Sequence, residues 1–163
     1  MEETNSQIRP AVTMVALHTQ LFYNSIDGIS EETAQKRPNS NSNHIAWIAG
    51  HTLSARYTLA NVCGVPDKEP FPELFLHGKS IEAGDYPSLE EMKVHWKIIS
   101  EKLLSRLKEI DEKTLNGNAP FKLPVDDPTV RGTIAFFVHH EAYHIGQLSL
   151  VRKIFGSDAM KYS

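Results

Sequence analysis

The fold is decided by residues 127–155, DPTVRGTIAFFVHHEAYHIGQLSLVRKIF. The stretch predicts one long helix, with Asp127 as the N-cap, Pro128 at the first helical position and Gly156 as the C-terminal stop. Spacings of three and four residues define a single stripe along it: Thr133, Phe137, His140, His144, Leu148, Val151 and Phe155. Two histidines therefore interrupt an otherwise apolar stripe that should face a core.

Three more amphipathic helices precede this one. The first is predicted over residues 6–29, followed by a short acidic turn or helix that begins at Ser30 and ends before Pro38. The second is predicted over residues 43–62, opened by the cluster of Ser and Asn residues before it and closed by Gly64. The third begins at Ser88, which forms a capping box with Glu91, and its apolar face extends to residue 110.

Residues 63–87 contain four prolines and show neither a helical nor an alternating period. We therefore expect a long loop. Long loops in compact domains are often functional or act as lids. A second break, residues 116–120, precedes the last helix. Since no stretch shows the alternation of a β-strand, the sequence predicts an all-α protein, a four-helix bundle formed by one domain over residues 1–163.

Composition and charge limit the classes of partner. The net charge is −3, and basic residues form no run longer than two, which argues against binding to nucleic acid. The single cysteine, Cys63, has no partner for an internal disulfide and is interpreted as a packing residue rather than a nucleophile. The sequence contains no secretory signal and no apolar span of 18 residues, so we expect a soluble, cytoplasmic protein that does not contact membranes.

A third histidine, on the second predicted helix, has the same inward position as the pair on the last helix. His51 lies in the middle of the second helix, on its inner stripe, where packing alone would favour Leu or Ile. His140 and His144 are one turn apart, with Cβ atoms about 5–6 Å from each other, so both imidazoles can reach one ion at about 2.0–2.1 Å. Buried separately, the three rings would leave nitrogen atoms unsatisfied at about 1–3 kcal/mol each. We therefore predict that these three histidines share a divalent metal ion.

Other histidines and tyrosines carry weaker signals. Taken singly, His18, His44 and His95 are more often hydrogen-bonded core residues than ligands. Tyr57 and Tyr143 could donate protons near a pocket, although packing is the favoured interpretation of both.

The string from His140 to His144 also matches H-E-x-x-H, the motif of zinc proteases. The extended form of that motif needs Gly and His where this chain has Gln147 and Leu150. Glu141 is rotated by about 100° from His140 around the helix, so it should face solvent or a neighbouring helix rather than the metal. The protease interpretation is therefore disfavoured.

Nearly the whole chain resembles the DinB/YfiT-like superfamily of bacterial four-helix bundles. The resemblance is carried by HIAWIAGH around His51, by HHEAYHIGQ around His140 and His144, and by the order and lengths of the helices. It implies that these three histidines are the metal ligands, whereas the adjacent His139 is not. The implied ion is divalent, with zinc and nickel as the candidates.

The resemblance also implies chemistry. Some relatives use low-molecular-weight thiols such as bacillithiol or mycothiol, so we expect a thiol-dependent S-transferase or a hydrolase acting on a small molecule. Gln147, one turn beyond His144, could support a ligand histidine or a water molecule in the site. The alternative is a bundle that binds a metal or ligand without catalysis. Relatives are often dimers, and a homodimer is expected here as well.

Overall fold

The computed structural model of the chain describes residues 5–75 and 85–162. Its four long helices are α1 (Arg9–Ile26), α3 (Ile45–Val62), α5 (Leu89–Glu109) and α7 (Val130–Ile154), and its three short ones are α2 (Glu31–Ala34), α4 (Pro72–Phe75) and α6 (Glu112–Asn116). The described residues contain no strand, only an isolated antiparallel bridge between Asn118 and Thr129. The prediction of an all-α fold is confirmed.

The long helices form a closed ring around one core. Both α1 and α3 pack against α5 and against α7, whereas α1 and α3 scarcely touch each other. The predicted apolar stripes face this core, and Phe22 of α1 stacks on Trp96 of α5 with ring centroids 4.1 Å apart. Among the described residues, no helix combines the length and the apolarity needed to cross a bilayer.

Two predicted helix starts are wrong. Asp127 does not cap α7, because Thr129 does so by accepting a hydrogen bond from the backbone N–H of Gly132. The carbonyl of Pro128 accepts from the backbone N–H of Ala119, which keeps this residue extended and delays the helix. The cap of α3 is also not one of the preceding Ser or Asn residues. It is His44, whose Nδ1 accepts from the backbone N–H of Trp47 at 3.0 Å.

The loops contain more helix than their sequence patterns indicate. Residues 63–87 include α4, and residues 110–117 include α6, which is capped by Asp111. The central part of the expected lid-like loop, residues 76–84, lies outside the described residues. The capping role of Ser88 is confirmed, since its hydroxyl accepts from the backbone N–H of Glu91 at 3.1 Å.

Gly50, next to His51 on α3, provides the surface on which α4 is seated. The ring of Phe75 lies directly against the Gly50 backbone, so that a Cβ atom there would overlap three ring atoms. We expect Gly50→Ala to lower the free energy of unfolding by about 1–3 kcal/mol, since Phe75 would have to shift in a packed core.

The matched control is Gly146→Ala on α7, where an added Cβ meets nothing within 4 Å. Alanine is the better helix former, so this change should raise stability by about 0.5–1 kcal/mol. Urea unfolding of both variants measures the difference. Equal stability of Gly50→Ala and the unsubstituted protein would contradict the tight seating of Phe75.

Candidate metal centre

The structure brings together the three histidines that the sequence singled out. Nε2 of His140 lies 3.2 Å from Nε2 of His51 and 3.2 Å from Nε2 of His144. One nitrogen from each ring lies within 4.8 Å of the others. Two nitrogens that bind one zinc ion at about 2.1 Å are separated by about 3.0–3.4 Å at octahedral to tetrahedral angles. The spacing therefore suits a single ion without a change in the backbone.

Aromatic side chains hold two of these rings in place. Trp47, one turn before His51 on α3, stacks on its imidazole with centroids 4.8 Å apart and planes 9° from parallel. Phe136 and Phe137 of α7 both approach His140, each with a centroid distance of 5.9 Å. The rings consequently have little freedom to rotate away from the point where they meet.

Gln147 determines which nitrogen of His144 is available. Its side-chain oxygen lies 2.7 Å from Nδ1 of His144, and because an amide oxygen only accepts hydrogen bonds, Nδ1 must carry the proton. Nε2, the atom that faces the other two histidines, then presents its lone pair. Gln147 is itself held by a hydrogen bond of 3.1 Å from its amide nitrogen to the hydroxyl of Tyr143.

The donor set fits a cation better than it fits three uncharged rings alone. With the lone pair of His144 directed at His140, one proton on His140 Nε2 can satisfy only one of the two short contacts well. The Nδ1 atoms of His51 and His140 are buried with no hydrogen-bond partner among residues 5–75 and 85–162, and an ion bound at Nε2 leaves them in that state. A divalent ion accepts a lone pair from each Nε2 and removes the conflict between the three atoms.

All three imidazoles are neutral at physiological pH. Burial, followed by the proximity of His144, lowers the pKa of His51 to about 4, and the backbone of Phe75 opposes this fall without forming a well-aligned hydrogen bond. Burial and the two neighbouring histidines likewise lower the pKa of His140 to about 4. Burial also lowers the pKa of His144, against the effect of Gln147. Neutral imidazole is the form that binds metals.

These shifts predict how the metal-free protein responds to acid. Between pH 6.5 and about 4, His51 and His140 bind protons in the unfolded chain but not in the folded one, so stability falls as the pH falls through this window. Solvent screening of these partly exposed rings limits the loss to about 1 kcal/mol each at pH 5. Urea midpoints at pH 7.5, 6 and 5 test this, and His140→Ala should weaken the dependence. An unchanged midpoint from pH 7.5 to 5 would contradict it.

Glu141 belongs to a different site from the three histidines. Its carboxylate is fully buried between α7, α3 and α1, so of the two orientations left open by the sequence, the one toward neighbouring helices is observed. Arg56 donates from Nε to Oε1 at 2.5 Å and from Nη2 to Oε2 at 2.8 Å, and His18 Nδ1 lies 3.2 Å from Oε2. Burial alone would raise the pKa of Glu141, but Arg56 and His18 lower it.

The remaining candidates behave mostly as packing or hydrogen-bonding groups. His18 contacts Glu141, and His95 lies half-buried with Nδ1 3.5 Å from the hydroxyl of Tyr57. Cys63 is fully buried, and burial raises its pKa to about 12, which agrees with a packing role. Tyr143 is more than half exposed and is not the half-buried packing residue that was expected.

Sequence reasoning did not identify Arg56 as a central residue. A signal exists in the pattern: Thr52, Arg56, Leu59 and Cys63 follow helical spacing beside the stripe of His51. A charged residue within such a buried series is a sign of a paired interior charge.

Comparison with known proteins supports the same fold and extends over most of the chain. The family model described as DinB superfamily matches residues 15–148. A search of curated proteins gave no match. Among solved structures, the DinB-like protein YjoA from Bacillus subtilis superposes with a TM-score of 0.64 at 20% identity, covering 95% of this chain and 99% of that one. Because the family model spans well over half of the sequence, this chain belongs to the DinB superfamily.

Proposed function

We propose that this protein binds one divalent metal ion, zinc or nickel, through Nε2 of His51, His140 and His144. The observation that carries the proposal is the pair of 3.2 Å contacts that bring three neutral imidazole nitrogens to one point. Three neutral ligands leave the positive charge of the ion undiminished, and such an ion lowers the pKa of a thiol or water molecule that it binds. The three histidines leave the remaining coordination positions to a small molecule.

The reaction best supported by this arrangement is thiol-dependent S-transfer or hydrolysis of a small electrophilic substrate. Members of the family that use low-molecular-weight thiols motivate the first of these. Two neighbouring side chains hold the ligand histidines in position: Gln147 orients His144 by a hydrogen bond, and Trp47 holds His51 in a fixed plane by stacking. Glu141 takes no part as a general base, because Arg56 and His18 already occupy its two oxygens.

A bundle that binds metal without catalysis is the second candidate. It is favoured by one observation: the only carboxylate within the H-E-x-x-H string, Glu141, faces away from the histidines and is fully paired. Under this hypothesis the same three ligands bind the ion, but no substrate is converted.

Metal analysis of protein purified without chelator tests the proposal at its first step. We expect about one zinc or nickel ion per chain, and uptake below a tenth of that after incubation with either metal would overturn it. Thiol-transfer and hydrolase screens of the loaded and the chelated protein then separate the two candidates. Turnover that chelation abolishes supports the enzyme, and stoichiometric metal without turnover in either screen supports the binding bundle.

Gln147 provides a finer test of the ligand set. Gln147→Leu removes the acceptor that keeps the proton on Nδ1 of His144, so we expect zinc affinity to fall by about 10–100-fold. Tyr143→Phe is the milder comparison, because it removes the bond that holds Gln147 but keeps the Gln147 oxygen beside His144, so its effect on affinity should be smaller. Competition titration with a chromophoric chelator measures both. Equal affinities of Gln147→Leu and the unsubstituted protein would show that this hydrogen bond does not prepare the site.

We also propose that the protein forms a homodimer, as expected from its relatives. On the outer surface of α7, Leu150 and Ile154 are large apolar side chains that are more than half exposed. Light scattering should give twice the chain mass of 18.3 kDa. A monomer at micromolar concentration would contradict this proposal without affecting the metal site.

A further inference from the structure

A network of buried polar groups crosses the centre of the bundle beside the histidines. In addition to its two bonds to Glu141, Arg56 donates from Nη1 to the hydroxyls of Thr19 at 3.0 Å and Ser100 at 3.1 Å. Its guanidinium also lies 4.1 Å from the ring centroid of Trp96. We call Arg56, Glu141, His18, Thr19 and Ser100 the central polar network. Its members come from all four long helices, so it joins the whole bundle at one level.

The network lies between the same two helices that carry the candidate ligands. Glu141 directly follows His140 on α7, and Arg56 is five residues beyond His51 on α3, a rise of about 7.5 Å along the helix. Any rotation or sliding of α7 that separated Glu141 from Arg56 would also move His140 relative to His51. The position of the ion pair and the convergence of the histidines are thus geometrically linked.

Stability alone does not account for an ion pair in this place. Arg56 and Glu141 are both completely buried, and apolar residues of similar volume in place of a buried pair often leave a protein equally or more stable. The hydrogen-bonded pair instead fixes the position of α7 relative to α3. Apolar side chains tolerate small shifts, and cores lose a unique arrangement before they lose stability, whereas a metal site needs its ligands within about 0.2 Å of the ideal distances.

We propose that Arg56 and Glu141 are positioning residues of the metal centre, which hold α7 at the rotation and height that bring His140 and His144 to His51. The inference rests on the proposed function in that the three histidines bind the metal. His18 and Ser100 contribute by tying the pair to α1 and α5.

The test uses the double variant Arg56→Met/Glu141→Leu, which removes both charges and keeps the volume. We expect a folded protein whose zinc affinity is about 10–100-fold lower, the range seen when the groups that orient metal ligands are removed. The absorption spectrum of the cobalt-substituted protein should change as well, since it reports the geometry of the ligands rather than the stability of the fold.

The matched control is Arg152→Met, which lies on α7 as Glu141 does. Arg152 is also buried, but within the described part of the chain its side chain donates only to backbone carbonyls of Asn24, Asp27 and Asp158, far along α7 from the histidines. We expect it to lower stability and to leave zinc affinity and the cobalt spectrum unchanged. Unchanged affinity and spectrum in the double variant would overturn the proposal, and so would equal weakening in Arg152→Met.

Two further measurements keep the proposal testable if other steps fail. Should the double variant not fold, His18→Phe removes only the contact between His18 and Glu141 and leaves the bond from Arg56 to Thr19 in place. A loss of zinc affinity below about twofold in this variant, which is under 0.5 kcal/mol, would overturn the proposal. Should the unsubstituted protein take up no metal, the proposed function fails, but crystal structures of the metal-free proteins still decide the positioning role. We expect the 3.2 Å separation of His51 and His140 Nε2 to increase in the double variant, and an unchanged separation would refute it.

Discussion

Replacing His140 by alanine should lower the affinity for zinc by more than about 100-fold, because removing the groups that merely orient a ligand already costs 10–100-fold. His140 is the central member of the triad, since its Nε2 makes both 3.2 Å contacts. The helical fold should persist, because the apolar core of the four helices does not depend on the ion. Competition titration measures the affinity, and circular dichroism measures the helix content.

His139→Ala is the control for this experiment. His139 precedes His140 on α7 but is exposed and lies off the inner stripe, so its removal should leave zinc binding unchanged. A His140→Ala protein that keeps one tightly bound ion per chain would contradict the assignment of the ligands. Equal losses in both variants would indicate that surface histidines bind the metal instead.

The second large effect concerns the free energy of folding. Arg56→Met should destabilise the protein by about 3–5 kcal/mol, because it leaves the Glu141 carboxylate buried and charged with only His18 to contact it. For a chain of this size the melting temperature should fall by roughly 6–20 °C. Adding Glu141→Leu should recover most of the loss, since the double variant buries no charge at this position.

Thermal unfolding of the two variants side by side provides the measurement. A single variant as stable as the unsubstituted protein, or a double variant no better than the single one, would contradict the account of a fully desolvated pair. The same reasoning applies to Glu141→Gln, which leaves the Arg56 charge without a carboxylate partner. Reduced turnover in Glu141→Gln indicates lost general-base catalysis only if metal content and folding are unchanged.

The helices and the candidate ligands could be predicted because their signals are local. The apolar positions of α5 recur at helical spacing, and Ser88 caps it through an atom three residues away. His140 and His144 lie on one face of α7 for the same reason, and a histidine on an inner stripe, such as His51, has to be explained by a partner in the core.

The two wrong helix starts have different causes. Asp127 and Pro128 form a good start signal, but the Pro128 carbonyl is bound to Ala119 in the preceding loop, so α7 begins later. At α3 the imidazole of His44 takes a role that Ser or Asn more often fills. The first outcome depends on a bond to a residue nine positions earlier, and the second on a residue type that is seldom an N-cap.

The sequence by itself determined the class of fold, the placement of three histidines on inner helical stripes and the exclusion of Glu141 from the stripe of His140, since each depends only on helical periodicity. The tertiary structure alone decided where Glu141 points and what it meets. Its partners, Arg56 and His18, are 85 and 123 residues away in the chain. A residue 100° from a stripe can face water or a third helix, and the packing of α1 and α3 around α7 selects between them. That packing, which arises from the burial of apolar surface on all four helices at once, also sets the 3.2 Å spacing at the candidate metal centre.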